Sequence, residues 1–264
     1  MSSVSEGPLD RILEHEAGDL TCTVEAELRL SALQEALAPH GQMLALDPPG
    51  DPAVGACLAA NLSGPRRHRY GTMRDLVIGA TAVLPDGTVA NSGGKVVKNV
   101  AGYDLAKLFC GSEGRLGRMV RLSLRLHPAP ETSATVVASP EPGKALAVLR
   151  STLVPSAVDV HWPDRLALLF EGSERAVAAQ VETARELIGA EAAGDDVWAE
   201  AAERQAGAKG RLSFAPGSLA EVLAGEEEAV VRVAAGVAYV PHEVPDPRDP
   251  AEIALVERIS AAFA

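Results

Sequence analysis

The chain has 264 residues, 47% of them hydrophobic, and a net charge of −12. That is enough to bury one large core or two smaller ones, and two domains are the expectation. The acidic balance argues against nucleic acid as a partner, while three cysteines (Cys22, Cys57, Cys110) without a CxxC pair argue against a disulfide framework, a zinc site or a cysteine-ligated cluster.

In chain order, the N-terminus MSSVSEGPLDRILEHE lacks a basic stretch followed by an apolar core, and no later window approaches the apolar length that spans a bilayer. A cytoplasmic location is expected. Leu20 to Ala26 reads as a strand, Ser31 to Ala38 as a helix with Ser31 as N-cap, and Gln42 to Leu46 as a second strand. The loop DPPGD at 47–51 is held by two prolines, and Pro52 opens an apolar helix through about Leu62 whose first turn would present free N–H groups to an anion. Leu76 to Leu84 and Thr88 to Ala90 form a hairpin across Pro85, Asp86 and Gly87.

The stretch from Lys95 to Gly117 follows, KVVKNVAGYDLAKLFCGSEGRLG. A short apolar helical turn (Leu105, Leu108, Phe109) runs into glycines at three-residue spacing (Gly111, Gly114, Gly117), and an alternating run, Met119 to Leu126, resumes. Helix before strand is the reverse of the dinucleotide fingerprint, and GxxGxxG is not GxGxxG, so the pattern is not a Rossmann motif. Between Gly64 and Arg125 stand eleven Lys and Arg against four acidic residues, so the one basic region of an acidic chain coincides with its glycine-rich motifs. An anionic cofactor is drawn to such a region; the alternative for Arg66, Arg67 and Arg69 is a solvated loop or contact with a partner subunit.

Beyond Glu131 the pattern is α+β: strands at Ala134 to Ala138, Val158 to Trp162 and Leu166 to Phe170, a helix over Glu174 to Ile188, and one long strand over Val230 to Val240. VPHEVPDPRDP at 240–250 reads as an ordered irregular loop, Trp162 and Trp198 as core or interface residues, and GEEEA at 225–229 as a solvated acidic face.

Three segments carry a family resemblance: LALDPPGDPAVGACLAANLSGPRRHRYGT, LVIGATAVLPDGTVANSGGKVVKNVAGYDL, and AKLFCGSEGRLG followed by a strand ending in HP. From Leu9 to about Pro130 the chain resembles the FAD-binding domain of the vanillyl-alcohol oxidase and p-cresol methylhydroxylase (PCMH) type, in the form found in FAD-binding subunits of bacterial glycolate oxidases. The resemblance implies an α+β fold, an incomplete PCMH-type FAD-binding domain over residues 1–130 followed by a smaller α+β domain over 131–264. FAD is the implied cofactor. Its pyrophosphate needs several donors at close range, which glycine-exposed backbone supplies without competing side chains. By resemblance, Pro49 and Gly50 of the DPPG loop, Val54 and Gly55 of the helix start, and Asn61 to Gly64 lie along the diphosphate and flavin. Arg69, Tyr70 and Gly71 hold the flavin end, and Glu113, Gly117 and Met119 approach ribose and adenine.

The sequence departs from the family in three places. Ala56 replaces a second glycine after Gly55, and Arg115 and Arg118 stand where the GSEGTLGII type has Thr and Ile. These arginines either meet the adenosine part or face water. The family also places an N-terminal subdomain with a PRGGGT-type loop ahead of the segment that begins here at Leu9, and nothing in Met1 to Asp10 matches it. This implies a truncated domain that alone binds FAD weakly or not at all, with an unpaired sheet edge near Leu20 to Ala26.

No catalytic residue is evident. His15, His40, His68, His127, His161 and His242 show no HxxH or HExxH spacing, so no metal site is indicated, and His161 and His242 read as structural. No GxSxG elbow and no GxxxxGK[ST] loop is present. The resemblance implies a flavoprotein subunit of a 2-hydroxy-acid dehydrogenase of glycolate oxidase type, working with a large flavoprotein subunit and an iron–sulfur subunit on a small 2-hydroxy acid. The alternative is a non-catalytic assembly subunit with a degenerate flavin domain.

Overall fold

The computed structural model describes residues 8–93 and 105–245, with single positions at 254, 257, 258 and 261. Most of KVVKNVAGYDL and the end of the proline loop, 246–250, lie outside the described residues. The described chain divides into two compact units, residues 8–63 with 71–129, and residues 64–70 with 130–245. The chain passes to the second unit after Ala129, and Gly64–Tyr70, expected in the first domain, groups with the second.

The first unit opens with β1 (Ile12–Glu16) and β2 (Thr21–Glu25), then α1 (Leu30–Leu37), β3 (Gln42–Met43) and α2 (Val54–Ala59). The chain next crosses to the second unit for α3 (Arg67–Tyr70) and returns with α4 (Met73–Leu76), β4 (Val77–Val83), β5 (Val89–Gly93), β6 (Arg118–Arg125) and β7 (His127–Pro128). Five strands form an antiparallel sheet in the order β1-β2-β6-β4-β5, while β3 and β7 pair separately. The unpaired edge expected near Leu20 to Ala26 is therefore not there: β2 is internal, flanked by β1 and β6, and the edge falls on β1, which sequence reading missed. Its ILEHE pattern mixes charge with apolar residues and pairs through a bulge, so it lacks the clean alternation of a half-buried strand.

Alternation holds over Arg121–Arg125 of β6, where Leu122 and Leu124 turn into the core and Arg121 and Arg125 turn out, and Met119 joins the same core across a register shift against β4. They pack with Leu33 and Leu37 of α1, Val54, Cys57 and Leu58 of α2, and Met73 and Leu76 of α4, all fully buried. Each such side chain contributes about 1.5–3 kcal/mol by leaving water. Cys22 and Cys57 belong to this core as small apolar groups.

Three local boundaries differ from the sequence reading. α1 begins one residue early, and Ser31 is not its cap; the Asp51 carboxylate accepts the Ser31 N–H and hydroxyl, both at 2.9 Å, so the DPPGD loop caps the helix from a distance. The strand expected over Gln42 to Leu46 is two residues long, because Leu44 N–H and C=O are taken by the Gln34 side chain of α1. α2 is confined to six residues, ending where Asn61 adopts a left-handed backbone (φ 47°).

The second unit adds β8 (Thr132–Ala138), α5 (Pro142–Arg150), β9 (Ala157–Trp162), β10 (Arg165–Gly172), α6 (Glu174–Ile188), β11 (Glu191–Ala193), α7 (Asp196–Ala206), β12 (Gly210–Ser213), α8 (Leu219–Ala224), β13 (Ala229–Arg232) and β14 (Val237–Val240). Its seven-stranded antiparallel sheet runs β11-β8-β10-β9-β13-β14-β12. The apolar face, with Val136, Val158, Val160, Leu166, Leu168 and Val231, packs with α5, α6 and α8. The long strand expected over Val230 to Val240 is instead a hairpin of β13 and β14, turned at Gly236, whose φ of 59° and close approach to Phe214 suit only glycine.

Alternation puts polar residues on the other face, where Asp159 and Arg232 stand in register on β9 and β13 and form a buried ion pair. Gln205 and Trp198 of α7 close over them, hydrogen-bonded to Arg232 and Thr135 respectively. His161, beside Asp159, is buried, and desolvation lowers its pKa to about 4, so it is neutral at physiological pH. GEEEA is not a freely solvated face either: the Glu226 carbonyl accepts the Trp162 indole, its carboxylate lies 3.6 Å from His242, and Glu228 pairs with Arg204 at 2.8 Å.

Candidate functional site

Helix α2 and the glycine bend at 111–117 are built onto each other. Once α2 ends, its last carbonyls need partners. Leu58 C=O receives the Gly111 N–H at 3.0 Å and Ala59 C=O the Glu113 N–H at 2.8 Å. Across the same junction the Cys110 thiol donates to the Asn61 side-chain oxygen at 3.1 Å. The other end of α2 is tied to the sheet: Val54 N–H donates to Leu28 C=O at 2.9 Å and Gly55 N–H to Ala26 C=O at 2.7 Å. A Cβ on Gly55 would stand 2.8 Å from the Cβ and carbonyl oxygen of Ala26, so glycine there is a packing requirement.

Between these anchors lies a groove of about 380 Å³ lined by Ala26, Glu27, Ala53, Gly55, Ala56, Ala59, Ser112, Gly114, Gly117, Arg118 and Met119. Seven of these are alanine or glycine, which leaves flat walls. Gly114 has φ 79° with open space where a Cβ would stand, while a Cβ on Gly117 (φ 149°) would lie 2.7 Å from Val83 C=O. At the rim, the Arg118 guanidinium donates to the Glu27 carboxylate at 2.6 Å, both side chains exposed.

The residues expected to bind the cofactor separate into three groups. Gly55, Gly117 and Met119 line the groove. Others serve the fold. Val54 is fully buried in the core. Gly71 accommodates the Asp75 carboxylate, which accepts the Thr72 N–H at 2.8 Å and would be 2.5 Å from a Cβ at position 71. Asn61 closes α2, Glu113 carries a left-handed backbone (φ 53°) and pairs outward with Arg115 at 2.7 Å, and Pro49 and Gly50 lead into the Asp51 cap. The third group, Gly64, Arg69 and Tyr70, belongs to the second unit; there Arg66 donates to the buried Glu171 carboxylate at 2.6 and 3.0 Å and Arg69 to the Glu171 carbonyl at 3.1 Å. Those two arginines are thus engaged with protein carboxyl and carbonyl groups, neither in a free anion site nor in a purely solvated loop.

The expectation of free N–H groups at the start of α2 is corrected for the first two, which are spent on Leu28 and Ala26. Sequence reading missed Ala26, Glu27, Ala59 and Ser112, although Ala53, Ala56 and Ala59 at three-residue spacing on one helix face were a usable sign of a small-residue wall. The donor set fits a flat nucleoside better than a pyrophosphate, since the Val54 and Gly55 N–H groups are already bonded and Arg118 is the one cation among the described lining residues. At the lower end of ligand-pocket volumes, the groove suits part of FAD and not the whole molecule.

The first unit is thus α+β, with a small-residue groove beside a five-stranded antiparallel sheet. Residues 3–93 match the family model described as an FAD binding domain. Among curated relatives, glycolate oxidase subunit GlcE of Escherichia coli is 33% identical over 200 residues, 74% of this chain and 56% of that one. D-lactate dehydrogenase (cytochrome) 1, mitochondrial, of Saccharomyces cerevisiae is 33% identical over 177 residues, 67% of this chain and 30% of the relative. Glycolate oxidase subunit GlcD of Bacillus subtilis is 36% identical over 152 residues, 57% of this chain and 32% of the relative. The chain therefore spans roughly a third to just over half of these relatives' lengths. A solved alkyldihydroxyacetonephosphate synthase shares the fold, with a TM-score of 0.68 at 14% identity, covering 97% of this chain and 63% of that one.

Proposed function

We propose that this chain is an FAD-binding subunit of a multisubunit 2-hydroxy-acid dehydrogenase of glycolate oxidase type. The observation that carries the reading is the alanine and glycine groove formed by α2 and the 111–117 bend, α2 lying within the residues that match the FAD binding domain family. Relatives named for glycolate and D-lactate, both small 2-hydroxy acids, support the substrate class. Bound FAD supplies an acceptor for the hydride at the α-carbon of such an acid. In this chain, Ala53, Ala56 and Ala59 of α2 and Gly114 and Gly117 of the bend would hold the adenosine end between flat walls, and Met119 closes the groove where β6 begins. Its partners are a large flavoprotein subunit and an iron–sulfur subunit, and its compartment is the cytoplasm.

Isolation of the tagged chain from its host tests the reading. A flavoprotein subunit and an iron–sulfur subunit should accompany it, and the complex should reduce an artificial electron acceptor when given glycolate or D-lactate. Isolation of the chain without either subunit would contradict the proposal.

A further inference from the structure

An exposed ion pair stands at the rim of the groove. Glu27, in the connection from β2 to α1, and Arg118, the first residue of β6, both line it and join across it at 2.6 Å. They are brought together by the sheet, since Ala26 N–H donates to Val120 C=O at 3.0 Å, one residue from Glu27 and two from Arg118. Nothing in the packing requires this pair: both side chains are more than half exposed, at 67% and 51%.

An FAD nucleotide in this groove brings two phosphates, and the lining holds little to meet them. Val54 and Gly55 N–H groups are committed to the backbone of the first unit, Glu27 is an anion, and Arg118 is the only cation among the described lining residues. A guanidinium offers paired N–H donors that match phosphate oxygens, and a solvent-exposed carboxylate is readily exchanged for a dianionic partner. We propose that Arg118 is the phosphate-binding residue of this groove, turning from Glu27 to the cofactor's pyrophosphate when the nucleotide enters, and that Glu27 competes for it in the free protein. This inference rests on the groove being the cofactor site. It makes the groove selective for a nucleotide diphosphate over the bare nucleoside.

The test compares ADP with adenosine as probes on the full 264-residue chain, with affinities taken from amide chemical-shift titrations. The unaltered protein should prefer ADP by about tenfold, a preference that shrinks as salt is raised. Arg118→Ala should abolish the preference by weakening ADP about tenfold while leaving adenosine unchanged, and Arg118→Lys should recover part of it. Glu27→Gln should tighten ADP about threefold with no effect on adenosine. Because both side chains are exposed, none of these changes threatens the fold. Equal binding of ADP and adenosine by the unaltered chain, or equal weakening of both by Arg118→Ala, would overturn the inference and leave the groove assignment standing. If neither probe shifts the groove residues, the inference and the groove assignment fall together.

Discussion

Cys22 and Cys57 lie in the first core, where desolvation pushes each thiol up to about 12, and Cys110 is half-buried with its thiol pKa raised by desolvation to a lesser extent. A thiol reagent applied to the native protein at mildly alkaline pH should therefore modify Cys110 slowly and the other two only after unfolding; rapid modification of Cys22 or Cys57 would contradict the core assignment. His161 provides a second residue-level test. Burial holds its folded pKa near 4 against 6.5 for the free group, so the unfolded chain binds the proton more readily between those values. Stability from this group is complete above pH 6.5 and is lost as pH falls toward 4, by up to about 3 kcal/mol. His161→Phe should flatten the acid limb of the urea midpoint against pH, and an unchanged limb would place the acid sensitivity elsewhere. The sequence singled out His161 from its setting in HWPD, but the Asp159–Arg232 pair beside it was not legible, because the two are far apart in sequence and meet only through the β9–β13 register.

The elements test whether local pattern or tertiary context set the structure. Leu122 sits fully buried on central strand β6, and Leu122→Ala should cost about 2–5 kcal/mol in urea unfolding. Gly117→Ala should also destabilise, by about 1–3 kcal/mol, because it combines φ 149° with a Cβ 2.7 Å from Val83 C=O. A loss well below these values in either variant would mean that the first unit repacks around it. α6 was legible because its apolar period is regular over fifteen residues, and β6 because Val120 to Leu126 alternates apolar with polar. Elsewhere the sequence misled for definable reasons. Asp51 replaced Ser31 as the cap of α1 because a loop twenty residues away supplies the carboxylate. The break between β13 and β14 was hidden in an apolar run whose turn is marked only by Gly236. In the candidate site, the glycine spacing led to the bend that lines the groove, yet Gly71 and Gly55 are needed for packing against Asp75 and Ala26, a role that spacing cannot distinguish from ligand contact.

At the scale of the molecule, two antiparallel sheets divide the work. The first unit carries the groove and the FAD binding domain match, while the second encloses its polar sheet face with α7 and the ion pair of Asp159 with Arg232. The central claim is that the groove between α2 and the 111–117 bend holds part of FAD. Ala56 lines that groove, is exposed, and has no role in the core, so a larger side chain there fills the site without disturbing the fold. The most direct measurement is a titration of FAD fluorescence with the full chain and with Ala56→Phe, with circular dichroism and the urea midpoint confirming that both are equally folded. Weak but saturable binding by the unaltered protein, lost in Ala56→Phe, is the predicted result; no saturable binding, or binding that Ala56→Phe leaves intact, would contradict it.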